Sequence, residues 1–450
     1  MLLILLKKVI AYGDYETMKQ TDYVIEKKDY AKIIKLQLAV VDEVNDRNTK
    51  YFDKGHFLYS TYHLNNKQSI IGRFFRTYYM LETLDRDVNS FSKEVQREYR
   101  NYYFDFNKKY GITTTQYEAM LFWELLSYYG INKLTESSLW RDIDNTYKGI
   151  KNRMMLAKIL APISVYPSEL KEWALSTECE DWDFTKFQMY PFFRDDNNKY
   201  ISISDYTLSN ALFEKLFWLI RDCYSKDDSR AMAFYGRLFE KYVQEVARNA
   251  TSKGYVFIEE FEIGKKGSRS KSSDAYLQKG NKLLAIEAKG FSVISNVMSG
   301  NNRVEDNYKK LFVNPVLEAD KFLYKAFKEN AAFMDIDEVY IIAVSMDNIN
   351  ANPCYYSKII SEIESVKKCS KSKYYFNLNI EEYEMLMYVL EKDNDIFALL
   401  KEYFKQEILP PFSNYLRNKI TKIEMTTFMK ECYEKAVGDV IKSLKENETV

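Results

Sequence analysis

The residues best suited to chemistry flank a predicted β-hairpin. Its two-residue loop is Gly280-Asn281, a dipeptide typical of such turns. Counting outward from this loop places Asp274 directly opposite Glu287, and Lys289 lies on the same face as Glu287 because side chains alternate along a strand. Opposed carboxylates have Cβ atoms about 5 Å apart and repel each other, which favours a bound divalent cation with oxygen ligands. Two carboxylates, such a cation and a lysine are suited to hydrolysis of a phosphodiester.

The register of this hairpin decides whether the three charged residues can act together. With the two-residue loop the opposite face is apolar and belongs in a core, since it carries Ala275, Leu277, Leu284, Ile286 and Ala288. A three-residue loop from Lys279 to Asn281 would instead put Asp274 and Glu287 on opposite faces. The alternative to a functional site is a surface hairpin whose charges are solvated, because Glu and Lys are frequent in this chain.

The spacing of these residues resembles a known motif. Ser273-Asp274, twelve intervening residues and Glu287-Ala288-Lys289 are similar to the motif of the PD-(D/E)XK nuclease superfamily, with Ser273 where the motif has proline. Glu240, in a predicted helix before the sheet, resembles the acidic residue that the superfamily has there. The alternative for Glu240 is a solvent-facing helical glutamate. The resemblance covers about residues 228–346.

The resemblance implies an enzyme, a metal-dependent nuclease. Asp274, Glu287, Glu240 and the backbone carbonyl of Ala288 would then bind Mg²⁺, for which Mn²⁺ could substitute. Lys289 would position or polarise the attacking water and offset the charge that builds on the phosphate. The implied substrate is DNA rather than RNA. The implied roles are restriction, repair or anti-phage defence, the last of which can involve a partner protein.

The order of the predicted elements agrees with this resemblance. Apolar spacing predicts a helix over 230–249, a strand over 255–263 follows, and the hairpin comes next. Asn314 is predicted to cap a helix with Pro315 at its first position, and the nearly continuous apolar run over 338–346 predicts a central strand. The order α-β-β-β-α-β is that of an α/β restriction-endonuclease-like core with a mixed central sheet.

A basic segment leads directly into Asp274. Its Gly and Ser residues are interspersed with four cations, Lys265, Lys266, Arg269 and Lys271. Such a segment suits a flexible loop that binds phosphates beside the cleavage site. It would contribute affinity but no sequence specificity. The alternative is an ordinary solvated loop.

The chain divides into three predicted segments. Residues 1–226 have mainly helical spacing and would serve target recognition or partner binding, either as packed helices or as a DNA-reading helix-turn-helix. A short polar stretch at 225–229 marks the boundary to the nuclease-like core, predicted at 227–348. Residues 349–450 are predicted to be mainly helical, apart from a short strand at 374–378.

The composition limits the class of protein. The chain has 450 residues, of which 46% are hydrophobic and 29% charged, so it can bury a sizeable core. Its net charge is zero, so a nucleic acid would be bound by a local basic patch. Five cysteines without CxxC spacing and two histidines argue against a zinc site and for a reducing cytoplasm. The many Lys, Tyr and Phe residues indicate an AT-rich bacterial source, which favours defence.

The N-terminus carries a short apolar run. It is too short to span a bilayer, and its lysines follow the run, whereas a signal peptide has them before it. The run therefore predicts a buried strand or the start of a helix, and no membrane partner is expected.

Two other classes of function remain open from the sequence. One is a catalytically inactive nuclease fold that binds nucleic acid or protein, and retention of Asp274, Glu287 and Lys289 counts against it. The other is a helical scaffold without a nucleic-acid role, against which the basic segment and the opposed carboxylates count. The sequence is compatible with a homodimer but does not determine the oligomeric state.

Overall fold

The protein has a mixed α/β fold with mixed sheets. The computed structural model describes residues 2–14, 26–48, 69–84, 88–129, 139–146, 153–181, 183–225, 227–265, 267, 269–290, 304–329, 331–346, 353–406 and 409–446. The strands within these residues are β1 (Arg141–Asp142), β2 (Ser164–Val165), β3 (Phe192–Arg194), β4 (Lys199–Ser202), β5 (Val256–Glu259), β6 (Glu262–Ile263), β7 (Ser270–Lys271), β8 (Ala275–Lys279), β9 (Lys282–Lys289), β10 (Glu338–Ser345) and β11 (Ser372–Asn379).

Helices account for most of the remaining described residues. The α-helices are α1 (Leu2–Tyr12), α2 (Lys27–Asn48), α3 (Ile70–Tyr78), α4 (Tyr102–Tyr110), α5 (Thr114–Tyr129), α6 (Ile143–Thr146), α7 (Arg153–Leu160), α8 (Lys171–Ser176), α9 (Thr185–Met189), α10 (Asp205–Asn210), α11 (Leu216–Arg221), α12 (Ser229–Ala250), α13 (Val304–Tyr308), α14 (Asn314–Lys328), α15 (Pro353–Val366), α16 (Ile380–Glu391), α17 (Ile396–Phe404), α18 (Phe412–Lys419) and α19 (Thr427–Glu446). Turns of π-helix cover Tyr79–Leu84, Ala211–Lys215 and Lys309–Val313, and 3-10 turns cover Val88–Ser90, Val95–Arg97, Ala161–Ile163 and Pro167–Leu170. None of the described helices is long and apolar enough to cross a membrane.

A five-stranded sheet with the order β11-β10-β9-β8-β5 organises the second half of the chain. Strands β5, β8 and β9 are mutually antiparallel, whereas β9, β10 and β11 run parallel. Helix α12 precedes these strands, and α14 lies between β9 and β10 in the chain. The succession α12, β5, β8, β9, α14, β10 agrees with the predicted order, and the small hairpin β6–β7 is inserted between β5 and β8.

The hairpin of β8 and β9 has the predicted two-residue loop. Lys279 pairs with Lys282, and the ladder continues to Ala275 opposite Ile286. Gly280 has a positive φ of 58°, the pattern of a type II′ turn, which has Gly at its first central position. The register is therefore the one that places Asp274 and Glu287 on the same side of the sheet.

Both faces of this hairpin are buried. The predicted apolar face, including Leu277, Leu284 and Ile286, lies in a core shared with α12. The other face contributes Tyr276, Leu283 and Ala285 to a second core under α14. Helices on both faces are the arrangement expected for parallel strands of nearly continuous apolar sequence, and β10 is central as predicted, between β9 and β11.

Two predicted boundaries are corrected by the strand pairing. The strand predicted over 255–263 is divided, because β5 ends at Glu259 and the chain turns: Phe261 N–H donates to Ser272 Oγ at 2.9 Å, and Ser272 N–H donates to the Phe261 carbonyl at 2.8 Å. The predicted end of the core at residue 348 is too early, because β11 pairs with β10 along its length. The short strand predicted at 374–378 is confirmed and is longer, spanning all of β11.

The helix cap predicted at Asn314 is wrong. Asn314 has helical backbone angles and continues a helical segment formed by α13, the π turn Lys309–Val313 and α14. Proline inside a helix lacks an N–H donor and clashes with the carbonyl four residues earlier. The π turn immediately before Pro315 changes the hydrogen-bond spacing at that point, so the helix continues through the proline.

The N-terminal segment is mainly helical, as predicted, and is not a separate core. One hydrophobic core includes side chains from Phe74 of α3, Leu277 of β8 and Val440 of α19. The small sheet β1-β4-β3-β2 contains an antiparallel hairpin of β3 and β4. The apolar N-terminal run forms α1, whose Ile4 is buried against α2 and α8.

A buried ion pair joins the N-terminal helices to the core. Arg76 of α3 donates to both oxygens of Glu384 in α16, at 2.8 and 3.0 Å, and Tyr242 of α12 donates to the same carboxylate at 2.6 Å. The exposed fractions of the two charged side chains are only 7% and 6%. Three helices from the three predicted segments therefore meet at one desolvated carboxylate.

We predict that Arg76→Met lowers the free energy of unfolding by about 3–5 kcal/mol, because it leaves Glu384 buried without its cation. The double variant Arg76→Met/Glu384→Met should recover most of this loss. Urea denaturation measures both. Lys419→Met, which breaks the exposed pair with Glu402, is the control and should change stability by less than about 1 kcal/mol. A loss of similar size in the Arg76 and Lys419 variants would contradict the prediction.

Candidate active site

Asp274 is held between two elements at the start of β8. Its Oδ2 accepts the N–H of Ala288 in β9 at 2.7 Å. Its backbone carbonyl accepts from Gln244 Nε2 of α12 at 2.8 Å. The carboxylate is 93% buried, since the residue is only 7% exposed. Strand and helix therefore place this carboxylate jointly, and it lies beside Glu287 as the register predicts.

Glu287 lies in β9 and is as buried as Asp274, at 7% exposure. Lys289 Nζ approaches its Oε2 at 3.4 Å. The Ser273 hydroxyl is buried beside it without a well-formed hydrogen bond. The structure thus brings together Asp274, Glu287 and Lys289, the three residues that the sequence predicted to act jointly.

Burial raises the pKa of both carboxyl groups. For Asp274 the next cause is the negative charge of Glu240, and the N–H of Ala288 and the charge of Lys289 offset part of the shift. For Glu287 the next cause is the charge of Asp274, offset in part by Lys289. The charge of Asp274 therefore makes Glu287 harder to ionise, which is the repulsion expected for this register.

Lys289 is held by two carboxylates. Its Nζ lies 3.4 Å from Glu287 and 3.0 Å from Glu318 of α14. Burial lowers the pKa of Lys289, but these two negative charges outweigh it and raise the pKa above its usual value. The lysine is therefore a cation at neutral pH, and Glu318 is a further charged residue at the site.

Glu240 lies at the edge of the site rather than among its buried carboxylates. It is 24% exposed and pairs with Arg237 at 2.8 Å, and Arg237 also reaches Glu98 at 3.3 Å. Its charge nevertheless raises the pKa of Asp274, so the two groups are neighbours. Its role as a metal ligand stays a prediction.

Helix α12 approaches the end of β9 through two glycines. A Cβ on Gly290 would lie 3.3 Å from Gly236 Cα and 3.4 Å from Phe239 Cβ. A side chain on Gly290 would require its neighbours to shift by a few tenths of an ångström, whereas a Cβ on Gly236 would meet nothing within 4 Å. This approach places Glu240 and Gln244, which are one helical turn apart, beside Asp274.

The donor set fits a hard cation. Two buried carboxylates with raised pKa values and the buried Ser273 hydroxyl are oxygen groups that a divalent ion would satisfy. Ala288 lies between Glu287 and Lys289, and its predicted contribution through the carbonyl stays a prediction. Among the described residues no three carboxylate, imidazole or thiol groups cluster tightly enough to form a ligand set without adjustment.

The basic segment forms the small hairpin β6–β7, and part of its charge is paired. Arg269 contacts Glu262 at 3.0 Å, and Lys271 pairs with Glu260. Lys265 is exposed, whereas Lys266 lies outside the described residues. The charge of Lys271 lowers the pKa of Asp274, so the base of this hairpin lies near the site. Phosphate binding by the segment stays a prediction.

Sequence reasoning assigned no function to Glu318 or Gln244. A signal for Gln244 existed, because it follows Glu240 by four residues and so shares its helix face. Glu318 had no comparable signal, since its contact with Lys289 depends on how α14 crosses the sheet. Both residues belong to the site by direct contact.

We predict that Asp274→Asn, in EDTA at pH 8.5, melts between the wild-type temperature and about 3 °C above it. The asparagine oxygen can still accept the Ala288 N–H, while the repulsion on Glu287 is removed. Mg²⁺ should raise the melting temperature of the wild type much more than that of the variant. The control is Asp320→Asn, at a buried carboxylate that accepts the N–H groups of Lys368 and Cys369, and it should destabilise the protein.

The stability of the metal-free protein should also depend on pH in a defined direction. The pKa values of Asp274 and Glu287 are raised in the folded state, so above about pH 4 these two groups bind more protons in the folded chain than in the unfolded chain. Their contribution to stability is therefore lost as the pH rises. Melting in EDTA from pH 5.5 to 8.5 should show a smaller fall for Asp274→Asn than for the wild type. Parallel curves would contradict the coupling of the two groups.

Comparison of the chain with protein-family models, with curated proteins and with solved structures finds no match. The geometry of Asp274, Glu287 and Lys289 is therefore the basis on which a function can be inferred.

Proposed function

We propose that the protein is a metal-dependent nuclease that hydrolyses phosphodiester bonds with a restriction-endonuclease-like core of the PD-(D/E)XK type. The observation that carries this proposal is the meeting of Asp274, Glu287 and Lys289 at one end of β9. The order α-β-β-β-α-β and the mixed sheet around these residues support it. Neither a solvated surface hairpin nor a plain helical scaffold explains two adjacent buried carboxylates.

The roles of the residues follow from their positions. Asp274 and Glu287 would hold Mg²⁺, with Glu240 close enough to contribute its charge, and the cation would supply Lewis acidity towards the phosphate. Lys289, kept cationic by Glu287 and Glu318, would orient the attacking water and stabilise negative charge that develops on the phosphate. The hydrogen bond from the Ala288 N–H holds the Asp274 carboxylate in place beside Glu287.

The proposed substrate is DNA, and the proposed context is restriction or anti-phage defence. Because the chain has no net charge, phosphate contacts must be local. The segment around the β6–β7 hairpin would supply these contacts through Lys265, Arg269 and Lys271, of which Lys271 acts on Asp274, and through Lys266, which lies outside the described residues. The Arg269–Glu262 pair is exposed and costs little to exchange for a phosphate, whereas Glu260, the partner of Lys271, is half-buried.

The second candidate is an inactive nuclease fold that binds nucleic acid or protein. The two ion pairs that hold Lys289 favour it, because this lysine must remain available to a phosphate in the enzyme. The two candidates differ in whether any phosphodiester is cleaved when a divalent cation is supplied.

We predict cleavage of plasmid, linear or single-stranded DNA with Mg²⁺ or Mn²⁺ and none in EDTA. Glu287→Ala and Lys289→Ala should each lower the rate at least ~100-fold while DNA binding and folding persist. Glu402→Gln, an exposed residue of α17, is the matched control. Full activity in Glu287→Ala would exclude the proposed site, and DNA binding without cleavage under every cation condition would favour the inactive fold.

We further predict that Glu318→Gln moves the alkaline limb of the cleavage pH profile to lower pH. The substitution removes one of the two charges that raise the pKa of Lys289, so the lysine loses its proton earlier. Glu318→Asp should restore the wild-type limb. An unchanged limb in Glu318→Gln would mean that Lys289 does not act as a required cation.

A further inference from the structure

Helix α2 carries an apolar stripe that the described part of the chain covers at one end only. Residues three and four apart form this stripe, namely Tyr30, Ile33, Ile34, Gln37, Val40, Val41 and Val44. At its C-terminal end, Val40 and Val44 are 6% and 2% exposed and lie in a core with Ile4 of α1. At its N-terminal end, the exposed fractions are 49% for Tyr30, 41% for Ile33 and 57% for Ile34.

The open end of the stripe is large for a monomeric protein. Leu36 and Leu38 flank it and are 55% and 58% exposed. With Tyr30, Ile33 and Ile34 they expose on the order of 500 Å², at the upper end of the largest apolar patch found on typical monomers. Scattered surface leucines need no explanation, but a contiguous patch in line with a buried stripe indicates a docking surface.

Three lysines of α2, though not Lys27 at its first position, lie where docking would leave them in water. At 100° per residue, Lys28, Lys32 and Lys35 lie on the face opposite Tyr30 and Gln37. Lys28 and Lys32 are 66% and 68% exposed. A partner on the apolar stripe would therefore desolvate none of these three cations, and two copies of the helix would not face lysine with lysine.

We infer that the occupant is a second copy of this chain, with the two α2 helices antiparallel across a twofold axis. Centring the pair between Ile33 and Ile34 places Ile33 opposite Ile34 of the second copy. Tyr30 then lies opposite Gln37 of the second copy, so the one polar side chain in the stripe, which is half-buried, meets a hydroxyl group. A twofold contact of this kind is self-complementary and closed.

The area agrees with a reversible dimer. Complete cover of all five side chains on both copies would bury at most on the order of 1,000 Å², the lower limit for a specific interface. An interface at this lower limit is expected to be weak and reversible. The inference is independent of the proposed nuclease activity, because it uses no residue of the candidate active site.

Sedimentation equilibrium of the full chain from 1 to 100 µM tests the inference. The mass should rise with concentration from 53.4 kDa towards twice that value. Ile33→Asp should weaken self-association at least tenfold. Ala39→Asp, which puts the same charge on the opposite, exposed face of α2, should leave it unchanged. A wild type that stays monomeric at 100 µM overturns the inference, as does equal loss of association in both variants.

A short bismaleimide crosslinker gives a second test that does not depend on weakening the helix. Ile34→Cys should be captured as a covalent dimer at 20 µM and Ala39→Cys should not, each with exposed Cys179 replaced by Ser. Equal crosslinking of the two variants overturns the inference. Binding of a monomeric wild type, but not of Ile33→Asp, to phosphatidylglycerol vesicles would assign this face to a membrane surface and also overturn it.

Discussion

Two carboxylates buried side by side are the constraint on which the second half of this structure depends. Removing an ion from water costs several kcal/mol even after relaxation, and Asp274 and Glu287 also repel each other. The Ala288 N–H and the Lys289 ammonium offset part of that cost. An arrangement with so little local compensation persists only where its surroundings prevent the two groups from separating.

Apolar packing on both faces of the hairpin provides that restraint. The side chains of β8 and β9 belong to two cores, one on each face of the sheet, and protein interiors pack at the density of organic crystals. Helix α12 also packs closely against the end of β9, where a Cβ on Gly290 would lie 3.3 Å from Gly236 Cα. Moving the two carboxylates apart would relieve their repulsion but would disrupt the apolar packing on both faces. The loss of packing is the larger effect, so the carboxylates stay together.

Local chemistry explains which parts of the fold and site could be predicted. The register of β8 and β9 follows from a turn dipeptide and from alternation, both of which act within a few residues. Asn314 shows the opposite case, because a favourable cap sequence was overridden by a helix that packs continuously before it. Glu318 could not be assigned because its contact with Lys289 joins elements 29 residues apart. Long-range packing, which a single sequence does not reveal, decided those two positions.

The π turn before α14 has a consequence for the geometry at Lys289. A π turn holds one more residue than an α turn, and one residue corresponds to about 100° of rotation around a helix axis. Helix α14 continues from Lys309–Val313 without a break. The π turn therefore sets the direction around the helix axis in which each side chain of α14 points. Deleting one residue in that turn would rotate the Glu318 carboxylate away from the sheet while leaving its distance along the helix almost unchanged. The extra residue thus rotates α14 so that the Glu318 carboxylate faces Lys289 at the end of β9.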